Sequence, residues 1–266
     1  MKNTLILNMI ILFMLASTSL ALTNNHFNLV EEKVLPKQLG MYRHIRSDAN
    51  RKLDIYIIKL NKNYHAALYQ QNTFDKNQAE SIHNLSNRLG YIIGINGSFF
   101  TKEFKPAGLF IENGKIVYNQ SQELLLDTCV NNRNGKILLE TNVKKCLTAF
   151  SAMQSGPALI EQGEVAADVY NLPKQLPQLK EFFEPHKRTV LALSDDNKLL
   201  IISTSPVTLA EIANTLKNLP KLFDVKAIKT AIDLDGGHST GMYIRFNENQ
   251  LYLPEANRVK TLIFIK

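Results

Sequence analysis

The sequence has no tryptophan and only two cysteines among 266 residues. It holds no CxxC pair and no histidine cluster, which excludes a structural zinc site of the usual spacing. Twelve glycines and nine prolines are too few for a collagen-like or linker-dominated chain. Charged residues make up 21% and apolar residues 45%, the balance of a globular protein rather than a disordered one. Thirty-one basic residues against 24 acidic ones leave a formal charge of +7. That excess is spread along the chain, in pairs such as Lys144-Lys145 and Lys187-Arg188. No basic helix and no basic run interleaved with aromatics is present, so no nucleic-acid partner is expected. There is no fixed-period repeat and no linker long enough to divide the chain.

Long apolar runs are also missing, with one exception at the start. Lys2 precedes an almost continuous run from Leu5 to Leu15, broken by Asn8, and the stretch ends Ser19-Leu20-Ala21. A basic start, a short apolar centre and small residues at 19 and 21 predict a signal peptide over 1–21, cut after Ala21. The run is too short to span ~30 Å of hydrocarbon comfortably, so no stable membrane anchor is expected after cleavage. The expected location is periplasmic or secreted. Removing Lys2 would leave the mature chain at +6. Residues 22–52 then read as a lead-in, and residues 53–266 as the domain.

Export gives the two cysteines a reading. In an oxidising compartment, Cys129 and Cys146 are expected to form a disulfide. Between them lies Asn132-Arg133-Asn134-Gly135-Lys136, a turn signal flanked by extended segments, which predicts a hairpin closed by the bridge. Such a loop would add on the order of 3 kcal/mol.

Short strands dominate the rest. Leu53 to Leu60, His65 to Gln70 and Tyr91 to Ile95 read as strands, and residues 77–89 as a helix closed by Gly90. Hairpins are expected around Asn113-Gly114, Gln162-Gly163, Asp196-Asn197 and Asn247-Glu248. Thr208 and Glu211 form a capping box ahead of the apolar stripe Leu209, Ile212, Ala213 and Leu216, and Pro220 stops that helix. The segment from Tyr170 to His186, spaced by Pro173, Pro177 and Pro185, reads as an excursion over the surface. Together these elements predict an α+β fold. It is a single domain with a large mixed or antiparallel sheet, several hairpins and a few packed helices.

Four short segments carry candidate chemistry. Ile232-Asp233-Leu234-Asp235-Gly236-Gly237-His238-Ser239 alternates apolar and acidic residues before a glycine turn. In a strand the two carboxylates face one way, about 7 Å apart along the backbone at ~3.3 Å per residue. The pair suits acid–base hydrolysis or a hard cation such as Ca²⁺ or Mg²⁺, and the glycine amides suit an anion. No cofactor is required by these residues. Asn96-Gly97-Ser98-Phe99-Phe100 follows a buried strand. Ser155-Gly156-Pro157 enters another strand. Lys187-Arg188-Thr189 precedes a third, where the arginine fork suits phosphate or carboxylate.

In order, these are N-G-x-F-F, S-G-P-x-L-I, R-T, a T-L-x-E helix start and D-L-D-G-G-x-S. This series resembles the phosphodiester glycosidase family, over most of the chain from about Ile55. The resemblance implies hydrolysis of a sugar from a small-molecule or glycan sugar-1-phosphodiester. It implies a site including Asn96, Gly97, Ser155, Gly156, Arg188, Asp235, Gly236, Gly237 and Ser239. In that reading Asp235 is the first choice of catalytic carboxylate, as base or nucleophile, and Asp233 the second. Arg188 would bind phosphate, and Asn96 would position the substrate. The family often has glycine at the positions of Ser98 and His238, and proline at Lys187. His238 narrows the glycine loop and bears on the accepted substrate. The rival expectation is a non-catalytic glycan- or glycan-phosphate-binding envelope protein on the same fold.

Overall fold

The computed structural model describes residues 27–48 and 52–266. The expected signal peptide therefore lies outside the described residues. Three antiparallel sheets carry the fold, as the alternation of short strands and turns implied. The largest has eight strands in the order Phe27–Val34, Gly40–Ser47, Leu53–Leu60, Leu199–Thr204, Thr189–Ser194, Ile228–Asp233, Ala158–Glu161 and Glu164–Val165. A five-stranded sheet is centred on Ser151–Ser155 and Thr128–Arg133. A second five-stranded sheet is centred on Ile93–Asn96 and Thr261–Ile265. Residues 27–47, read from sequence as a lead-in, are two strands of the large sheet.

The central strands of the large sheet are buried on both faces, which is why they read as continuous apolar runs rather than alternating ones. Ile58, Ile201, Leu191 and Ile232 point into a core shared with the smaller sheets. Ile57, Ile202, Val190 and Ala231 point the other way, into a second core. Helices Asp168–Gln175 and Leu209–Asn218 cover that second face. The longer helix begins with the full capping box: Thr208 accepts from the Glu211 amide, and the Glu211 carboxylate accepts from the Thr208 amide. The helix expected over 77–89 is shorter. A 3₁₀ turn occupies Lys76–Gln78, and the α-helix starts at Ile82 with Ser81 as its cap.

Cys129 and Cys146 form a disulfide. It does not cross the hairpin expected between them. That hairpin, Thr128–Arg133 with Lys136–Glu140, is made by its own strand pairing. The bridge instead ties its first strand to the 3₁₀ turn Val143–Cys146, over the small core of Leu109, Ile111 and Ala152.

Candidate active site

The candidate residues come from four separate stretches of chain, and the sheets bring their ends to one place. Strand Ile228–Asp233 lies between Thr189–Ser194 and Ala158–Glu161, with Val190 opposite Asp233. Arg188 thus arrives beside Asp233 as the residue before its strand. The Asp233 carbonyl accepts the Ser155 hydroxyl at 3.0 Å and the Gly156 amide at 3.2 Å. The Asp235 amide donates to the Gly97 carbonyl at 3.2 Å. The Gly237 amide donates to the Lys187 carbonyl at 2.8 Å, so the glycine loop is laced to the arginine segment.

Asn96 is the knot of this region. It is completely buried. Its amide nitrogen donates to the Asp235 carbonyl at 2.7 Å and the Gly97 carbonyl at 3.2 Å. Its amide oxygen accepts from the Thr189 hydroxyl at 2.7 Å and the Gly241 amide at 3.2 Å. Both ends of the side chain are therefore engaged with protein, and one residue holds three motifs in register. Ser98, where the family often has glycine, is also turned inward. Its hydroxyl donates to the Gln154 carbonyl. His238, at the other departure, is exposed on the glycine loop.

Two glycines are demanded by close approach. Gly156 has φ +147°, and a Cβ there would stand 2.3 Å from the Leu125 carbonyl oxygen. A Cβ on Gly236 would stand 2.9 Å from the Lys187 carbonyl oxygen and 3.9 Å from Arg188 Nη1. The loop packs directly on the arginine.

The carboxylates differ in setting. Asp233 has no exposed surface and meets the Arg188 guanidinium, Nη1 to Oδ2, at 3.3 Å. Its Oδ1 is buried with no hydrogen-bond partner among the described residues. Burial pushes its pKa up to about 7, against the pull of Arg188, with Asp235 adding a smaller push upward. Asp235 lies past the strand end and is only partly buried. Its pKa is also raised to about 7 by desolvation, against hydrogen bonds from Ser239 and the Gly236 amide.

Arg188 is 1% exposed. Nε donates to the Val207 carbonyl at 3.2 Å, and Nη2 to the carbonyls of Phe182 at 2.8 Å and Glu184 at 3.2 Å. The Phe182 ring lies 5.1 Å from Cζ. Among the described residues no group of three His, Cys, Asp or Glu side chains is arranged to hold a metal ion.

Sequence reasoning missed a third carboxyl. Asp127 hydrogen-bonds Asp168, and burial together with that partner raises its pKa to about 7. Its Oδ1 would lie 2.9 Å from a Cβ on Gly156, so the acid pair backs the Ser155-Gly156-Pro157 turn. Forty-one residues separate the partners, and neither sits in a motif.

The strand ends of an antiparallel sheet thus gather a carboxylate, a glycine loop and an arginine, and residues 89–266 match the family model described as phosphodiester glycosidase. The chain belongs to the phosphodiester glycosidase family. A comparison with curated proteins finds no match. Among solved structures, the chain resembles the zebrafish N-acetylglucosamine-1-phosphodiester alpha-N-acetylglucosaminidase catalytic domain, auto-inhibited by its pro-peptide. The TM-score is 0.63 and identity 15%, over 90% of this chain and 83% of that one. It also resembles a hypothetical protein from Synechocystis, with a TM-score of 0.61 and 12% identity, over 88% of this chain and 63% of the other. At such identities the likeness is one of fold.

Proposed function

We propose that this protein is an exported hydrolase that releases a sugar from a sugar-1-phosphodiester, with Asp235 as its acting carboxyl. The observation that carries the reading is the convergence of four distant motifs around a partly buried carboxyl whose proton is held near neutrality. In the proposed reaction water attacks the anomeric carbon, and the bond from that carbon to the phosphodiester oxygen breaks. Asp235 takes the proton from the water as the sugar gains positive character, and the products are free sugar and a phosphomonoester. A phosphate leaves readily, so no strong acid is needed on that side. Asp233 and Arg188 lie beneath the loop, where Arg188 is the cation for the phosphate, and the Gly236 amide and Ser239 hydrogen-bond the Asp235 carboxylate. Asn96, Gly97, Ser155 and Gly156 hold the geometry. No metal is required in this scheme.

A panel of sugar-1-phosphodiesters, nucleotide sugars included, assayed for free sugar with and without chelator tests this. Asp235→Asn should lower the rate at least about a hundredfold while the thermal melt stays close to wild type. With a base titrating near 7, kcat/KM should climb between pH 6 and 8 and then level off. Turnover indifferent to Asp235→Asn removes the assignment, and loss of activity with chelator replaces it with a metal-assisted version. The second reading is a binding protein without turnover. The covered guanidinium and the exposed His238 favour it, and it predicts saturable binding with no sugar released.

A further inference from the structure

Residues 173–187 link the helix Asp168–Gln175 to the strand Thr189–Ser194, and none of them is buried. Within this stretch, the turn Pro177–Leu179 and the four-residue helix Lys180–Phe183 bury no residue fully, and only Phe182 and Phe183 pack, partly buried, against the second core. Prolines at 177 and 185 bracket them. So little apolar burial leaves the segment weakly attached on its own account. Its polar ties run to the site. Both Nη2 bonds of Arg188 end on its carbonyls, at Phe182 and Glu184. The Phe182 ring covers the guanidinium and meets Phe99 of the N-G-x-F-F motif at 5.9 Å between centroids. His186 anchors the far end, bonded to the Glu181 carbonyl at 2.6 Å and paired with Val207.

The arrangement is electrostatically incomplete. A buried arginine is shared between one carboxylate and three neutral carbonyls, while Asp233 Oδ1 has no partner among the described residues. The two carbonyl oxygens take up both N–H groups of Nη2, so a phosphate oxygen must displace them to reach that nitrogen. They are the weaker acceptors, because a neutral carbonyl carries no charge opposite to the guanidinium and a phosphate oxygen does.

We propose that residues 176–185 form a strap closed over the Nη2 edge of Arg188, and that the phosphate group of the substrate opens it by displacing the Phe182 and Glu184 carbonyls. This rests on the phosphodiester reading and adds to it how the anion reaches an arginine that is shut off from solvent. A closed population lowers the apparent affinity for the anion in proportion to its share.

The absence of tryptophan makes the test direct. Phe182→Trp places a single indole on the strap. Titration with inorganic phosphate should shift its emission to longer wavelength and saturate. Hydrogen exchange in wild-type peptides covering 176–185 should rise with phosphate, while the helix Leu209–Asn218 stays unchanged. Arg188→Lys, which keeps the charge beside Asp233 but loses the fork, should weaken phosphate binding about tenfold. Phe182→Ala should do the opposite and tighten it several-fold, because it removes the ring that holds the strap shut. A merely structural Phe182 would not tighten binding on removal. Failure of phosphate to bind, binding with emission and exchange unchanged, or weaker binding in Phe182→Ala overturns the strap. Sugar release is read separately. A strap that moves without turnover leaves this proposal standing and sinks the hydrolytic one, and turnover over a motionless strap does the reverse.

Discussion

At the scale of single residues, the site is a set of titratable groups withdrawn from water to different depths. Asp233, Asp235 and Asp127 all hold their protons to about 7, each chiefly through burial. Linkage turns this into a pH dependence of stability. Below about pH 4 folded and unfolded chains both carry these protons, and nothing is lost. As pH rises toward 7 the unfolded chain releases them first, so the folded state loses stability across that window. The Asp127–Asp168 pair contributes without being assigned to catalysis, which makes it the clean probe. Asp127→Asn keeps a side chain that can bond Asp168 and has no proton to lose. Its melting temperature should fall less between pH 5 and 8 than that of the wild type, measured by scanning calorimetry. Parallel slopes for the two proteins would mean that the pair is not a source of the loss.

The sequence was most readable at this scale where a motif is contiguous. Asp233, Asp235 and the glycines stand out because they are neighbours in one strand and its turn. The roles of Asn96 and Arg188 were less readable. A sequence shows that an asparagine ends a strand, but not that all of its bonding capacity is taken by Asp235, Gly97, Thr189 and Gly241. Asp127 was invisible, because its partner is a helix residue brought near by packing alone.

Among elements, local signals did well where the information is local. The turns at Asn113-Gly114 and Gln162-Gly163 adopt positive φ angles, which the asparagine and the two glycines take readily. The capping box at Thr208 is complete. Replacing Thr208 with alanine removes both its hydroxyl contacts and should cost about 1 kcal/mol, read as a lower urea midpoint with an unchanged slope. An unaltered midpoint would mean that the tertiary packing of Leu209, Ile212 and Leu216 alone sets this helix. The Pro-spaced excursion was readable as an excursion only. Its contacts with Arg188 involve backbone carbonyls, and any residue carries a carbonyl.

For the molecule as a whole, the disulfide fastens the middle of the chain rather than the segments that carry the candidate site residues. It closes a span of 17 residues between a strand and a 3₁₀ turn. Cys129→Ala with Cys146→Ala should lower stability by about 3 kcal/mol through the freer unfolded chain. For a domain of this size that is roughly 6–12 °C in melting temperature. Sugar release at 25 °C should be retained, because neither cysteine is a candidate site residue and the strand pairing of Cys129 with Gln154 is made by the backbone. Lost activity in a folded double variant would tie the bridge to the site.

The pattern of apolar residues, turns and caps determined by itself that this chain builds hairpins, buries a sheet on both faces and keeps few helices, since each of those choices is set within a dozen residues. It also marked the carboxylate and glycine segment, because those side chains are adjacent in the chain. Only the tertiary structure decided which strand lies beside which, and with that the meeting of Arg188 with Asp233 and of Asn96 with Asp235. It alone determined how deeply each carboxyl is withdrawn from water, and that the arginine lies beneath a strap. Those outcomes depend on contacts between residues 45 to 139 positions apart. No local rule carries information over that distance.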